Sequence, residues 1–560
     1  MSTHDLVIRN GLVIDGTGAE GRIADVGIKD GRIAEIGTIA ANSARAIDAE
    51  GHAVTPGFID GHTHMDAQMH WDPLGTNSCW HGVTSVVMGN CGFSIAPLRA
   101  GHQHLVARNL ERAEDISGAA MDAGIDWRWE GFDEYLDVVD AMPKGINYAA
   151  YVGHSALRTW AMGERAFEEE ASEDDLARMK AQLGRALDAG ATGFSTSRSS
   201  GHETSDDRPV ASRLASRAEV AALVNSMKGR RGVMFELAPE IVMPGTPEGT
   251  EFFQWLCDLA VESGVTVTMG TLGHFATTML GMMDDVEQRG GRMIGQGHSR
   301  GVNTVSSFRT TTPFDKLPVW EEFRQRPIEA QKAGLKDPQT REALEDAVRN
   351  AVYGRAVGAE ARPPEWDKFW VYDKPLPPWR SLADISAARG VHPITALLDI
   401  VIADDLETFF MQPLTMCPDE ETVSVLRHPK VVMTFSDAGA HVGQIADASI
   451  HSHLIAYFCR EKQMLSLPEA VEMITSRGAK AWGFADRGVL AEGNVADINI
   501  FDPATFGPAM PQVVHDLPTG ARRLAQRSTG MKATLVAGEV LIENGEHTGA
   551  LPGRLLRRRD

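Results

Sequence analysis

From about residue 54 to residue 435 one pattern recurs: a short apolar run, a polar residue just past its end, then a stretch of helical character. Eight such runs are read as strands, at Val54–Ile59, Val83–Gly89, Asn147–Val152, Ala191–Ser195, Gly232–Phe235, Val265–Met269, Arg292–Gly295 and Val431–Phe435. Amphipathic segments such as Asp175–Leu187 and Arg217–Met227 lie between them. Strands that alternate with helical segments signal a parallel sheet with crossover connections. Eight of them suit a closed cylinder, which has no edge to protect. The expected fold class is therefore α/β, a (β/α)8 TIM-type barrel spanning residues 57–484. Such barrels work at the C-terminal ends of their strands. Here those ends carry His62 and His64, Cys91, His154, Ser195 to Arg198, Glu236, Thr271, His298 and Asp437.

The flanks follow a different grammar. Residues 1–56 and 485–560 hold short β runs punctuated by Asn10-Gly11, Asp15-Gly16, Asp30-Gly31 and Asn544-Gly545, the strongest short-range hairpin signal. The two ends are expected to build one small β-sandwich domain, with a C-terminal tail. Residues 299 to about 385 break the alternation, being rich in charge and proline, with a helical segment Thr340–Ala351 and aromatics Trp366, Phe369, Trp370 and Trp379. This stretch is read as a helical insertion, either a lid or surface decoration.

Composition narrows the partners. A net charge of −22 repels phosphate backbones, and the one dense basic run, Arg557-Arg558-Arg559, does not outweigh it. No apolar run approaches the roughly 20 residues of a bilayer crossing. Met1-Ser-Thr-His-Asp5 lacks a basic patch followed by an apolar stretch, so a cytoplasmic protein is expected. The five cysteines contain no Cys-x-x-Cys pair, which argues against a disulfide scaffold or a zinc finger. A small-molecule substrate is expected, without nucleic acid or membrane; homo-oligomerisation is left open.

Phe58-Ile-Asp-Gly-His62-Thr-His64 is the strongest local motif, because alternate side chains on a strand share a face and both imidazoles can reach one metal. Two solvated strand-end histidines are the alternative. Asp60 is read as a backbone anchor rather than a ligand. Asp437, in Phe435-Ser-Asp-Ala-Gly-Ala-His441, can touch the metal and take a proton from water, or else cap its loop. His441 contacts substrate or braces the loop. Cys91, in Met88-Gly-Asn-Cys-Gly92, could join the metal as a thiolate, although a buried structural thiol is the commoner fate. Arg198 and Arg300 are candidate anion contacts or ordinary ion-pair residues. His298 is a further candidate substrate contact.

Together these motifs resemble the amidohydrolase superfamily, and within it the N-acyl-D-amino-acid deacylase group. The resemblance covers most of the chain: Thr55-Pro-Gly-Phe-Ile-Asp-Gly-His-Thr-His64, Gly82-Val-Thr-Ser-Val-Val-Met-Gly-Asn-Cys-Gly92, Val152-Gly-His-Ser-Ala-Leu-Arg158, Ala189-Gly-Ala-Thr-Gly-Phe-Ser-Thr196, Ser436-Asp-Ala-Gly-Ala-His441 and Asp486-Arg-Gly-Val-Leu-Ala-Glu-Gly493. It implies Zn2+, a barrel with a small β-sandwich, His62, His64 and Asp437 as ligands of one metal, Cys91 as an additional ligand, and Asp437 as acid and base. The group carries histidines after strands 5 and 6; the matching places here hold Glu236 and Thr271, and a basic residue usual after strand 6 is replaced by Gly273. One zinc is therefore expected rather than two, with Glu236 as a further candidate ligand and His274 or His298 as substitutes. The expected activity is hydrolysis of an N-acyl amide, in an N-acyl-amino acid or a related compound, by metal-bound hydroxide. A deaminase or cyclic-amide hydrolase with Glu236 as proton shuttle is the alternative, and a non-catalytic barrel protein the second.

Overall fold

The structure, a computed structural model, describes residues 4–40, 43–356 and 358–558, apart from the His274 side chain. Met1 to Thr3 of the N-terminus, the His274 imidazole and Arg559 of the terminal basic run thus lie outside the described residues. Eight parallel strands follow one another in chain order: β1 (Phe58–Asp60), β2 (Val83–Met88), β3 (Asn147–Gly153), β4 (Gly193–Ser197), β5 (Met234–Ala238), β6 (Thr266–Gly270), β7 (Met293–Gly297) and β8 (Val431–Met433). Every residue of β2 and β3 is buried, as expected of strands covered on both faces. The cylinder is nearly closed by these strands alone. Its seam is completed just beyond them, where His62–Thr63 pairs in parallel with Phe435–Ala438.

The first apolar run is two strands rather than one. Ala53–Pro56 pairs antiparallel with Ile498–Phe501 in the sheet of the chain ends, and only Phe58–Asp60 enters the barrel. Gly57 marks the division. Thr84 Oγ1 lies 2.1 Å from where a Cβ on Gly57 would sit, so only glycine lets the chain pass. The chain ends share one nine-stranded sheet, running from Glu546–His547 through Met531–Val536, Ile498–Phe501, Ala53–Pro56 and His4–Val13 to Arg32–Gly37. The expected sandwich goes further than this pairing, which joins all nine strands in a single sheet.

Residues between β7 and β8 add a cluster with its own apolar core, including Phe308, Phe314, Trp320, Leu344, Phe369 and Phe410, and so reaching past residue 385. It is not purely helical: Asn303–Ser306, Phe409–Pro413, Trp370–Tyr372 and Arg380–Ser381 form a four-stranded sheet beside the helices. Among the described residues no single helix is long and apolar enough to cross a membrane; the bent pair Leu382–Arg389 and Pro393–Ala403 passes on composition, and its Leu382, Leu397, Leu398 and Val401 are buried in this core.

The seam leaves no room for side chains at its tightest point. Trp482 Cη2 lies 2.1 Å from the position of a Cβ on Gly61, and its indole N–H donates to the Tyr151 hydroxyl at 2.8 Å, which fixes the ring. Gly61→Ala is therefore expected to overpack the seam and lower stability by about 1–3 kcal/mol. Urea denaturation checks this; an unchanged midpoint would mean that Trp482 yields without cost.

Candidate metal centre

Seam closure brings residues from opposite ends of the barrel sequence to one point. His62 Nε2 lies 3.1 Å and His64 Nε2 3.4 Å from Asp437 Oδ1. Cys91 Sγ is 3.4 Å from the same His62 nitrogen. Donor atoms of His62, His64 and Cys91 all fall within 4.8 Å of one another, and all three residues are buried. Two of the contributors sit in left-handed backbone, Cys91 at φ 54° and Asp437 at φ 52°. Side chains pay for that conformation in strain, and here it turns both toward the histidines.

Both imidazoles are backed on their far side. His62 Nδ1 meets Gln296 Oε1 at 2.6 Å, and His64 Nδ1 faces Glu114 Oε1 at 3.7 Å. Their Nε2 atoms are thus the ones directed at the shared centre, the usual arrangement for histidines held by an outer partner. Glu236 reaches the same neighbourhood from behind. Its Oε2 accepts the Cys91 backbone N–H at 2.6 Å, and its Oε1 stands 3.8 Å from His62 Nδ1 rather than among the converging donors. Thr271 is buried with its hydroxyl on Met269 O at 3.4 Å.

The centre is rich in buried acid. Asp60, Asp66, Glu114, Glu236 and Asp437 lie around it, and burial shifts them most, followed by the Ser436 hydroxyl at Asp60, histidines, backbone amides and one another. Burial raises Asp60, Asp66 and Glu236 to about 7 and Glu114 well above its ordinary range. Burial also drives Asp437 upward, but hydrogen bonds from His62 and His64 hold it well below the carboxylate range. His62 is pulled down by burial and then lifted to about 9 by Asp437 and Glu236, whereas burial prevails at His64, which falls to about 4. The Cys91 thiol is pushed well up by burial and by the neighbouring carboxylates. Asp60, Asp66, Glu114 and Glu236 each keep one buried oxygen without a hydrogen-bond partner, and His64 Nδ1 is also unpartnered. Unpaired buried carboxylates and a thiol beside two imidazoles form a donor set that fits a divalent cation of the zinc type.

The remaining candidates are at the rim and are engaged. Arg198 bonds Glu240 at 2.6 Å and the Ala215 carbonyl at 2.8 Å. Arg300 bonds Asp447 at 2.6 Å and the Ala446 carbonyl at 3.0 Å, while His298 Nε2 lies 3.4 Å from the same carboxylate. His441 follows Asp437 in the seam loop and donates its backbone N–H to the Glu114 carbonyl at 2.5 Å. His154 joins Glu219 at 3.0 Å, in a buried network with Arg158 away from the donors. Gln296 and Glu114 escaped the sequence reading. The signal was there for Gln296, a polar residue inside the strand Met293-Ile-Gly-Gln-Gly297.

A cavity of about 20 Å³ touches Asp437, Asp447, Gln68 and Arg523, enough for about one water molecule. A larger one, about 890 Å³, lies at the opposite, N-terminal end of the strands beside Asn147, Gly190, Trp482 and Arg487, and contains none of the donors. Chemistry therefore points to the smaller space. From the insertion, Glu360 meets Arg112 at 2.9 Å and the Ala359 N–H donates to Gln444 Oε1 at 2.7 Å, in the loop that follows Asp437.

A barrel with imidazole, thiol and carboxylate donors at its C-terminal rim is the architecture of metal-dependent hydrolases. Comparison gives the family: a model of the amidohydrolase family matches residues 45–235 and 378–542, and the chain belongs to that family. It is thereby a metal-dependent hydrolase of C–N amide bonds. The D-aminoacylase of Alcaligenes xylosoxydans xylosoxydans is 27% identical over 99% of this chain and 98% of its own. A solved D-aminoacylase, described as having a binuclear metal center with one-metal activation and second-metal attenuation, superposes with a TM-score of 0.67 at 23% identity, covering 99% of this chain and 100% of that one. The N-acyl-D-glutamate deacylase of Bordetella bronchiseptica, solved with zinc and a phosphonate inhibitor, gives 0.64 at 24% identity, covering 99% of each chain. At such identities the structural likeness speaks for the fold.

Asp60, Asp66 and Glu236, raised to about 7, hold protons in the folded chain at pH values where the unfolded chain has released them. Their contribution to stability is full below the ordinary carboxylate range and is lost as pH rises to about 7. Chelator-stripped protein is expected to lose thermal stability across that interval relative to zinc-loaded protein, in which a cation offsets the charge. Parallel melting curves that keep a constant separation over this range would contradict the electrostatic account.

Proposed function

We propose that the chain hydrolyses the amide bond of an N-acyl compound, an N-acyl-amino acid or a related N-acyl substrate, using a single Zn2+ held by His62, His64 and Asp437 with Cys91 as an additional ligand. The observation that carries this reading is the approach of both Nε2 atoms to Asp437 Oδ1, at 3.1 and 3.4 Å, with Cys91 Sγ beside them. When bound, the cation supplies Lewis-acid polarisation of the substrate carbonyl and makes a water nucleophilic near neutral pH. Asp437 then has two tasks. It accepts the proton of the attacking water on a carboxylate oxygen, and afterwards hands that proton to the leaving amine nitrogen. Its depressed basicity in the absence of a cation comes from the two histidine hydrogen bonds, which ligation by their Nε2 lone pairs removes.

One cation is favoured over two because the places of two expected imidazoles hold Glu236 and Thr271. One oxygen of the Glu236 carboxylate accepts the Cys91 N–H, and Thr271 turns its hydroxyl to a backbone carbonyl. Arg198 and Arg300, each paired with an acid, are read as rim residues that shape the pocket, together with His298 and His441, rather than as ready anion contacts. The insertion, through Ala359 and Glu360, is read as a cover over the mouth of the barrel, and the sheet of the chain ends as a small β-sandwich domain beside the barrel.

Asp437→Asn is expected to keep the fold and lose turnover by roughly 10²–10⁴-fold, the range of a missing general acid and base. Release of free amine from N-acyl-D- and N-acyl-L-amino acids and hydrophobic amides checks this, and near-normal turnover would refute the assignment. Elemental analysis of freshly purified protein is expected to find one zinc per chain; a stoichiometry near two would overturn the single-cation reading.

A further inference from the structure

Gln296 is fully buried in β7, and strand pairing fixes its backbone on both sides: its carbonyl accepts the Thr271 N–H at 2.8 Å, and it is in register with Gly270 on β6 and Val432 on β8. Its carboxamide is used unevenly. Oε1 is 2.6 Å from His62 Nδ1, whereas Nε2 is buried with no hydrogen-bond partner. A buried amide nitrogen left unpaired is costly, so the residue is placed for its oxygen. The other acceptor near that ring nitrogen, Glu236 Oε1, is 3.8 Å away, beyond hydrogen-bond length, and the rest of its carboxylate is held by the Cys91 N–H.

The tautomer of His62 follows. An oxygen at 2.6 Å keeps a proton on Nδ1, so the only proton His62 can give up to a cation is the one on Nε2, which without a cation points at Asp437 Oδ1 at 3.1 Å beside Cys91 Sγ at 3.4 Å. The imidazole plane is also confined, by the Phe435 ring with centroids 4.0 Å apart. We propose that Gln296 is a positioning residue that locks His62 in the Nδ1–H tautomer and so presents Nε2 to the cation. This rests on the metal-centre reading above.

The test compares Gln296→Met, which keeps the volume and removes the acceptor, with Gln296→Glu, which keeps an acceptor oxygen. Zinc affinity is read by competition with a chelating dye, and ligation by the visible spectrum of the cobalt(II)-loaded protein. Gln296→Met is expected to bind zinc about 10–100-fold more weakly, as when the outer partner of a ligating histidine is lost, and to shift the cobalt bands. Gln296→Glu should bind within a few-fold of the unaltered protein and keep the bands. If Gln296→Met does not fold, Gln296→Asn, which withdraws the oxygen, replaces it with the same expectation. Affinity and spectrum unchanged in Gln296→Met, or Gln296→Glu as weak as Gln296→Met, would overturn the proposal, because packing alone would then explain the residue. Unaltered protein that binds neither metal would overturn it together with the metal-centre reading.

Discussion

Two strand extensions, His62–Thr63 and Phe435–Ala438, pair in parallel, and the rest of the molecule is arranged around that contact. A parallel pair cannot be made by a local turn. It forms only after the intervening barrel, insertion included, has folded back, so the entropy of closing a very long loop is met before this pairing contributes. Once formed, it does two things at the same place. It removes the last open edge of the cylinder, and it sets His62 and His64 against Asp437. The His64 N–H on the Ala438 carbonyl at 2.8 Å belongs to both functions, since it is a seam hydrogen bond made by a candidate ligand residue. A seam that drifted by one residue would turn each of these side chains to the other face, and the donors would no longer share a centre.

What the seam brings together is electrostatically unfavourable by itself. Five buried carboxylates and a buried thiol answer to two imidazoles, and the raised values of Asp60, Asp66, Glu114 and Glu236 are the protein's response, since a proton is the cheapest counter-ion at hand. Such a centre detracts from stability in proportion to its readiness for a cation, because ligands must shed protons before they coordinate. The apolar packing of the barrel carries that load. Phe435 lies against the His62 ring, Phe93 against the His64 ring, and Trp482 closes the seam behind Gly61.

The alternation of short apolar-rich runs and helical segments made the barrel readable, because burial on both faces keeps charge out of most of each strand. His62, His64 and Asp437 were readable for the related reason that strand ends point to one face. Local pattern failed where distant residues decide. Val54–Ile59 reads as one strand, and only Ile498–Phe501, paired with Ala53–Pro56, shows that the run divides at Gly57. Arg198 and Arg300 look like anion contacts until Glu240 and Asp447 are seen beside them. Glu114 belongs to a loop with no strand before it, and its approach to His64 depends on the His441 backbone holding its carbonyl.

Glu236 shows why a substitution at a ligand position need not be a change of ligand. An imidazole at this place in β5 would offer a neutral lone pair to a cation; a carboxylate there offers two acceptors, and one of them takes the backbone N–H of Cys91. That residue is held at φ 54°, a conformation that L side chains avoid unless something fixes it. The acid therefore stabilises the turn that presents the thiol. Charge leads to the same conclusion. On the proposed one-cation reading, a divalent ion with Asp437 and a Cys91 thiolate is already neutral, so Glu236 is left to trade its charge for a proton or share it with that N–H. Where a second divalent ion would look for two imidazoles it finds only Oε1 of Glu236 and a threonine hydroxyl already turned to a carbonyl, a poor donor pair, while Oε2 holds the turn that delivers the sulfur to the first.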